Sequence, residues 1–111
     1  MQAAMDNLEC TPAEVRDMMT GENAPKLIDV REQGEWDLVH LEGGRLLNQE
    51  LIDEMLAGWD KATPIVCYCH HGVRSAQATM FLRQQGFSDV RSMKGGIDAW
   101  AIEIEPGMAR Y

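Results

Sequence analysis

The residues from Pro64 to Gln77, PIVCYCHHGVRSAQ, hold the densest set of groups able to do chemistry. They divide into an apolar, β-favouring run (Ile65, Val66, Cys67, Tyr68), a tight turn opened by Cys69, and the start of a helix at Arg74 and Ser75. A thiol at the end of a buried strand and just ahead of a helix lies among backbone N–H groups that lack intrahelical partners. The positive end of the helix dipole adds to those donors. Such a setting favours thiolate, the nucleophilic form of cysteine. Arg74 supplies a planar fork of donors suited to an oxyanion. Gly72 fits a turn position that needs positive φ or an open approach to the sulfur. The chemistry expected is attack by the Cys69 sulfur beside an anion cradle built by His70, His71, Gly72, Val73, Arg74 and Ser75, a covalent mechanism in two steps.

Plainer roles compete with this one. A cysteine at a strand end is most often a small buried hydrophobe, and only the Gly72, Arg74 and Ser75 context lifts Cys69 above that. Cys67 lies two residues earlier and is expected in the core, because a disulfide to Cys69 at that spacing is strained. Cys10 is expected to be structural. Cys67, Cys69, His70 and His71 crowd too tightly to set up a tetrahedron, so no metal is expected. The His70 and His71 side chains are expected to face solvent at the pocket mouth. Arg74 either binds the donor or fixes the loop, and the second is favoured. Cysteine-dependent phosphatases place five residues between Cys and Arg, whereas four (His70 to Val73) intervene here. The shorter loop suits one added sulfur atom better than a phosphoryl group.

The elements that must position these groups alternate in type. Thr11-Pro12-Ala13-Glu14 is a capping box with proline at the first helical position, and Gly21 is a natural stop. Lys26 to Arg31 is a compact strand with an apolar centre, followed by a helical turn over Glu32 to Asp37 that carries Trp36. His40 to Gly44 is a loop, Arg45 to Asn48 a short strand, and Glu50 to Ala57 a helix with Leu51, Ile52, Met55 and Leu56 on its apolar face. Beyond the central turn a helix over Ser75 to Gln85 carries Ala76, Ala78, Met80, Phe81 and Leu82, and the helical Met and Leu positions are taken as core. Asp89 to Met93 is a strand, and Gly95-Gly96 leads into a helix over Ile97 to Ala101 with Trp100. Trp36 and Trp100 are expected to pack. Residues 103–111 are expected to be irregular and loosely held. Alternating strands and helices imply an α/β fold with a mainly parallel sheet covered on both faces. Ligands bind such sheets beyond the strands' carboxyl ends, where Cys69 would lie.

Composition narrows the function classes. At 111 residues the chain is expected to form a single domain, and 45% hydrophobic with 25% charged residues suits a globular core. A net charge of −8 argues against nucleic acid or an anionic membrane as partner. No apolar run nears the roughly 20 residues that span a bilayer. Three cysteines without a disulfide-framework spacing fit a reducing compartment, so a cytoplasmic location is expected.

Taken together, Leu27-Ile28-Asp29-Val30-Arg31-Glu32, Glu35-Trp36, His40-Leu41-Glu42-Gly43, Cys69 to Ser75 and Gly95-Gly96-Ile97-Asp98-Ala99-Trp100 resemble a single-domain rhodanese, in the order and spacing of that family. The resemblance covers about Leu8 to Trp100. It implies a three-layer α/β sandwich around a central five-stranded, mainly parallel sheet. It further implies transfer of sulfane sulfur through a persulfide on Cys69, with His70 to Arg74 as the cradle and no cofactor beyond that covalent intermediate. The expected partners are a small anionic sulfur donor such as thiosulfate, a thiophilic acceptor such as cyanide or a thiol, and an acceptor protein in a relay; the chain is expected to be a monomer. Asp29 and Arg31 are expected to brace the strand end. Where the family often reads Gly-His-Ile-Pro-Gly-Ala, this chain has Val39 to Gly44 as VHLEGG, which leaves the path of that segment open. A catalytically silent docking module is the reading from a different class, and the presence of Cys69 weighs against it.

Overall fold

A computed structural model describes residues 8–111. In chain order its elements are β1 (Glu9–Cys10), α1 (Pro12–Met19), β2 (Lys26–Asp29), α2 (Gln33–Leu38), β3 (Gly44–Leu46), α3 (Gln49–Gly58), β4 (Ile65–Tyr68), α4 (Val73–Gln84), β5 (Val90–Met93) and α5 (Gly96–Glu103). The strands form one sheet in the order β1-β5-β4-β2-β3, parallel throughout. All carboxyl ends therefore point the same way, with β4 in the middle.

Local chemistry sets the element ends. The Thr11 hydroxyl accepts the Glu14 N–H (3.1 Å), and the Glu14 carboxylate accepts the Thr11 N–H (2.8 Å), so α1 starts on a complete capping box. The Asn48 side chain accepts the Leu51 N–H at 2.8 Å and starts α3 in the same manner.

Two separate apolar clusters cover the sheet, one on each face. Val15 of α1 and Ile97 and Trp100 of α5 pack with Leu27, Val66, Tyr68 and Met93 on one side. Leu51 and Met55 of α3 and Leu82 of α4 pack with Ile28, Ile65, Cys67 and Val90 on the other. Alternation along β4 thus sends Val66 and Tyr68 one way and Ile65 and Cys67 the other, as the pleat requires. A strand buried on both faces cannot be half polar, which explains the unbroken apolar run Ile65–Tyr68.

Three expectations need correction. Met80 is 53% exposed and Leu56 is exposed as well, as is Phe81 at 41%. The inner face of α4 is instead Ser75, Thr79 and Leu82, spaced by four and three, where small side chains let the helix lie close to the sheet. The strand Glu9–Cys10 has only two residues, too few for any alternation to register. Finally, the segment after α5 is irregular but tied down. Ile104 and Met108 pack against the core, the Arg110 guanidinium pairs with Asp98 (2.8 and 3.3 Å), and Tyr111 stacks on His70. Composition alone could not reveal side chains that find partners so far back along the chain. No helix among the described residues is long and apolar enough to cross a membrane.

Candidate active site

Cys69 follows β4 directly, and Gly72 caps α4 in the left-handed region (φ 109°). That positive φ turns the chain sharply enough to bring two amides and a hydroxyl onto one sulfur. The Gly72 N–H donates to Sγ at 3.0 Å and the Ser75 N–H at 3.4 Å, while the Ser75 Oγ lies 3.4 Å away. Cys69 is 1% exposed. Burial by itself pushes its thiol up, but the hydroxyl and amide of Ser75 and the amides of Gly72 and Arg74 outweigh it and hold the thiol below its ordinary value. Among the described residues, the N–H groups of His70, His71 and Val73 donate to no other group. They remain available to an anion next to the sulfur.

The loop's shape is held from outside by α5. The Ile97 N–H donates to the Cys69 carbonyl (2.8 Å) and the Asp98 N–H to the His70 carbonyl (3.2 Å). These are first-turn amides of a helix, which have no partner within it. With the carbonyls drawn outward, the loop amides are left to face the sulfur. Gly96, at φ 64°, lies so close that a Cβ there would overlap both carbonyls. The glycine pair seen in the sequence is thus explained by a close backbone approach.

Around this backbone cradle stands a lattice of charged side chains. Arg31 and Asp29 form a fully buried pair (2.6 Å), and Arg31 also donates to the Val39 and Glu35 carbonyls and to the Tyr111 hydroxyl (2.6, 3.3 and 2.8 Å). Burial opposes the charge on Arg31, but the Asp29 carboxylate and Tyr111 raise its pKa well above the ordinary value. Both residues tie the strand end to the neighbouring segments. Arg31 and Tyr68 also settle the path of Val39 to Gly44: the Val39 carbonyl takes the Arg31 guanidinium, and the Leu41 N–H donates to the Tyr68 hydroxyl at 3.2 Å.

Arg74 makes a bidentate pair with Glu35 (2.8 and 3.1 Å), and the Tyr111 hydroxyl donates to the same carboxylate at 2.6 Å. The Arg74 guanidinium, foremost among these partners, holds Glu35 far below the usual carboxylate range. Arg74 therefore fastens loop to α2, with its fork already engaged. His70 departs from expectation. Its ring is stacked between His71 (3.9 Å) and Tyr111 (4.0 Å, 7° between planes), with Nε2 buried and without a partner. It is a wall of the site, while His71 does face solvent. His70, His71 and Asp98 bring possible ligand atoms within 4.8 Å of one another, and the two rings stack at 3.9 Å. Trp100 packs in the core as expected, and Trp36 stacks on His40 at 3.8 Å.

The roles of Glu35, Ser92 and Tyr111 are not among those that residue spacing predicts. Ser92 Oγ lies 2.7 Å from Ser75 Oγ inside the fold. A serine between Arg91 and Met93 in a strand covered on both faces is the one available signal for it.

A family model described as "Rhodanese-like domain" matches residues 11–103. The chain is 43% identical over 103 residues to the "Probable adenylyltransferase/sulfurtransferase MoeZ" of Mycobacterium tuberculosis, a match covering 91% of this chain and 26% of that protein. The chain thus spans about a quarter of MoeZ's length. It is 34% identical over 89 residues to the "Thiosulfate sulfurtransferase GlpE" of Pseudomonas aeruginosa, covering 80% of this chain and 79% of GlpE. Among solved structures, the Alr3790 protein from Anabaena sp. superposes with a TM-score of 0.75 at 26% identity, covering 92% of this chain and 82% of that one.

Proposed function

The chain belongs to the rhodanese-like, sulfurtransferase family, and we propose that it moves sulfane sulfur from a small anionic donor such as thiosulfate to cyanide or a thiol, by way of a Cys69 persulfide. The observation that carries this reading is the convergence of the Gly72 and Ser75 donors on a buried sulfur whose thiol is held below its ordinary pKa. A thiol held below its ordinary pKa by backbone and hydroxyl donors leans less on a general base, so neither His70 nor His71 is assigned that role.

In the first step the Cys69 thiolate attacks the outer sulfur of thiosulfate. The bond to the sulfonate sulfur breaks, sulfite departs with the electron pair, and Cys69 carries one extra sulfur as a persulfide anion. The N–H groups of His70, His71 and Val73 receive that charge, as an oxyanion hole receives oxygen. In the second step cyanide or a thiolate attacks the outer sulfur. Cys69 then leaves as thiolate, which the same donors stabilise, and thiocyanate or a new persulfide is released. No cofactor or metal enters either step. Arg74 holds the loop in register through Glu35 and does not clamp the donor.

The test is incubation with thiosulfate followed by intact mass measurement. A gain of one sulfur in the wild type, absent in Cys69→Ser, is the expected result. Lack of any adduct with every sulfane donor tried removes the proposal in favour of a docking module. The likeness to MoeZ, a protein named for both adenylyltransferase and sulfurtransferase activity, favours a second reading in which the acceptor is a cysteine thiol of a partner protein in a sulfur relay. Transfer from the loaded persulfide to glutathione, compared with transfer to an acceptor protein, separates the two.

A further inference from the structure

Ser92 lies in β5 opposite Cys67 and is fully buried. Its strand alternates so that Val90 joins the apolar cluster beneath α4, and Ser92 points to that same side. A hydroxyl in such a place needs a partner. Its Oγ has one, the Ser75 Oγ at 2.7 Å. Ser75 has three neighbours for its own hydroxyl: Ser92 Oγ, the Gly72 carbonyl at 3.2 Å and Cys69 Sγ at 3.4 Å. Each hydroxyl carries a single proton.

These counts fix the direction of donation. Were Ser75 to donate to Ser92, the Ser92 proton would have no acceptor in a dry interior. With Ser92 donating to Ser75, every proton is placed. Against a neutral thiol, the S–H also donates to Ser75 Oγ and the Ser75 proton rests on the Gly72 carbonyl. Once the sulfur is an anion, it is the stronger acceptor and the Ser75 proton turns to it. The Ser92 donation then polarises the Ser75 hydroxyl, so that the chain of two hydroxyls strengthens on ionisation.

We propose that Ser92 is a positioning residue for the Cys69 thiolate: its hydroxyl donates to Ser75 Oγ and thereby directs the Ser75 proton onto the sulfur. Ser92 touches neither the sulfur nor a substrate. Its consequence for turnover rests on the sulfur-transfer reading above, whereas its effect on thiol ionisation does not.

The experiment measures the pH profile of Cys69 alkylation by iodoacetamide, with the modified peptide located by mass. Cys67 and Cys10 are buried and pushed up to about 12 and about 11, which keeps them out of the same pH window. The other titratable and charged groups around the sulfur (Cys67 on β4, His70 and His71 in the loop, Arg74 on α4, Asp98 on α5) are unchanged by substitution at 92. Ser92→Ala is expected to move the midpoint up by about half to one pH unit, in line with one hydrogen bond in a charge-assisted chain. In a Ser75→Ala background the same substitution is expected to add no further shift, because the route to the sulfur is already cut. Ser92→Cys keeps the volume but donates weakly, and its midpoint is expected between wild type and Ser92→Ala, which gives a second reading should the alanine variant fold poorly. An unmoved midpoint in Ser92→Ala and Ser92→Cys, or a full shift that persists without the Ser75 hydroxyl, overturns the proposal. If the midpoints move as expected but wild type never takes up sulfur, the functional reading falls and the role of Ser92 in ionisation stands.

Discussion

The middle of β4 and its carboxyl end carry the same residue type under opposite conditions. Cys67 and Cys69 are both buried, two residues apart, and their side chains lie on the same side of the sheet. Burial among Ile28, Leu82 and Val90 pushes the Cys67 thiol up to about 12. At Cys69 the same penalty is overturned by Ser75, Gly72 and Arg74 donors, and the thiol sits below its ordinary value. What separates an inert sulfur from a reactive one is therefore not depth in the fold. It is the point where the ladder of strand hydrogen bonds stops and unpaired helix amides begin.

The hardest test of that contrast exchanges the roles. Cys69→Ser is expected to abolish sulfur uptake outright, read as loss of the mass adduct, while Cys67 in the same molecule fails to replace it. An adduct on Cys67 would break the comparison. Next in size is Arg74→Ala, which frees the loop from Glu35 and is expected to lower thiosulfate:cyanide turnover by between about tenfold and a hundredfold through misplacement of the cradle. Because the Arg74 and Glu35 side chains are 40% and 22% exposed, the accompanying change in thermal stability is expected to stay within about 1 kcal/mol. Near-normal kinetics in this variant would remove Arg74 from the site.

A third test uses pH. The folded Cys69 pKa is depressed, so thiolate forms on rising through that lowered value, and the first half-reaction accelerates there and levels off before the ordinary thiol range. The sign for stability is the same as for a depressed carboxyl: the contribution is complete above the unfolded thiol value and lost as pH falls through the folded one. A single-turnover rate that keeps rising into the ordinary thiol range would erase the difference between the two sulfurs. The smallest effect belongs to Cys67→Ala. Its sulfur lies in the apolar cluster beside Thr79 and away from the loop, so kinetics are expected to match wild type while a denaturant melt shows a loss of about 1 kcal/mol.

Much of this was legible in the residues. The alternation of elements, the capping box at Thr11 and the strand–turn–helix at Cys69 are local patterns, and each is a consequence of contacts within a few residues. Elements placed by tertiary contact were not legible. β1 exists because Glu9 and Cys10 pair with Ser92 and Met93, and the exposure of Met80 and Phe81 follows from how closely α4 seats on the sheet. Within the site, Cys69, Gly72 and Ser75 announced themselves by spacing. Glu35 and Tyr111 did not, because their roles depend on meeting Arg74 and Arg31 across the fold. The expectation that His70 faces solvent failed for the same reason, since the ring that covers it comes from Tyr111.

The hold of α5 on the Cys69 and His70 carbonyls makes the sulfur's readiness depend on the end of the chain. A change that lifted residues 97 and 98 away would free those two carbonyls and loosen the aim of the loop amides at the sulfur.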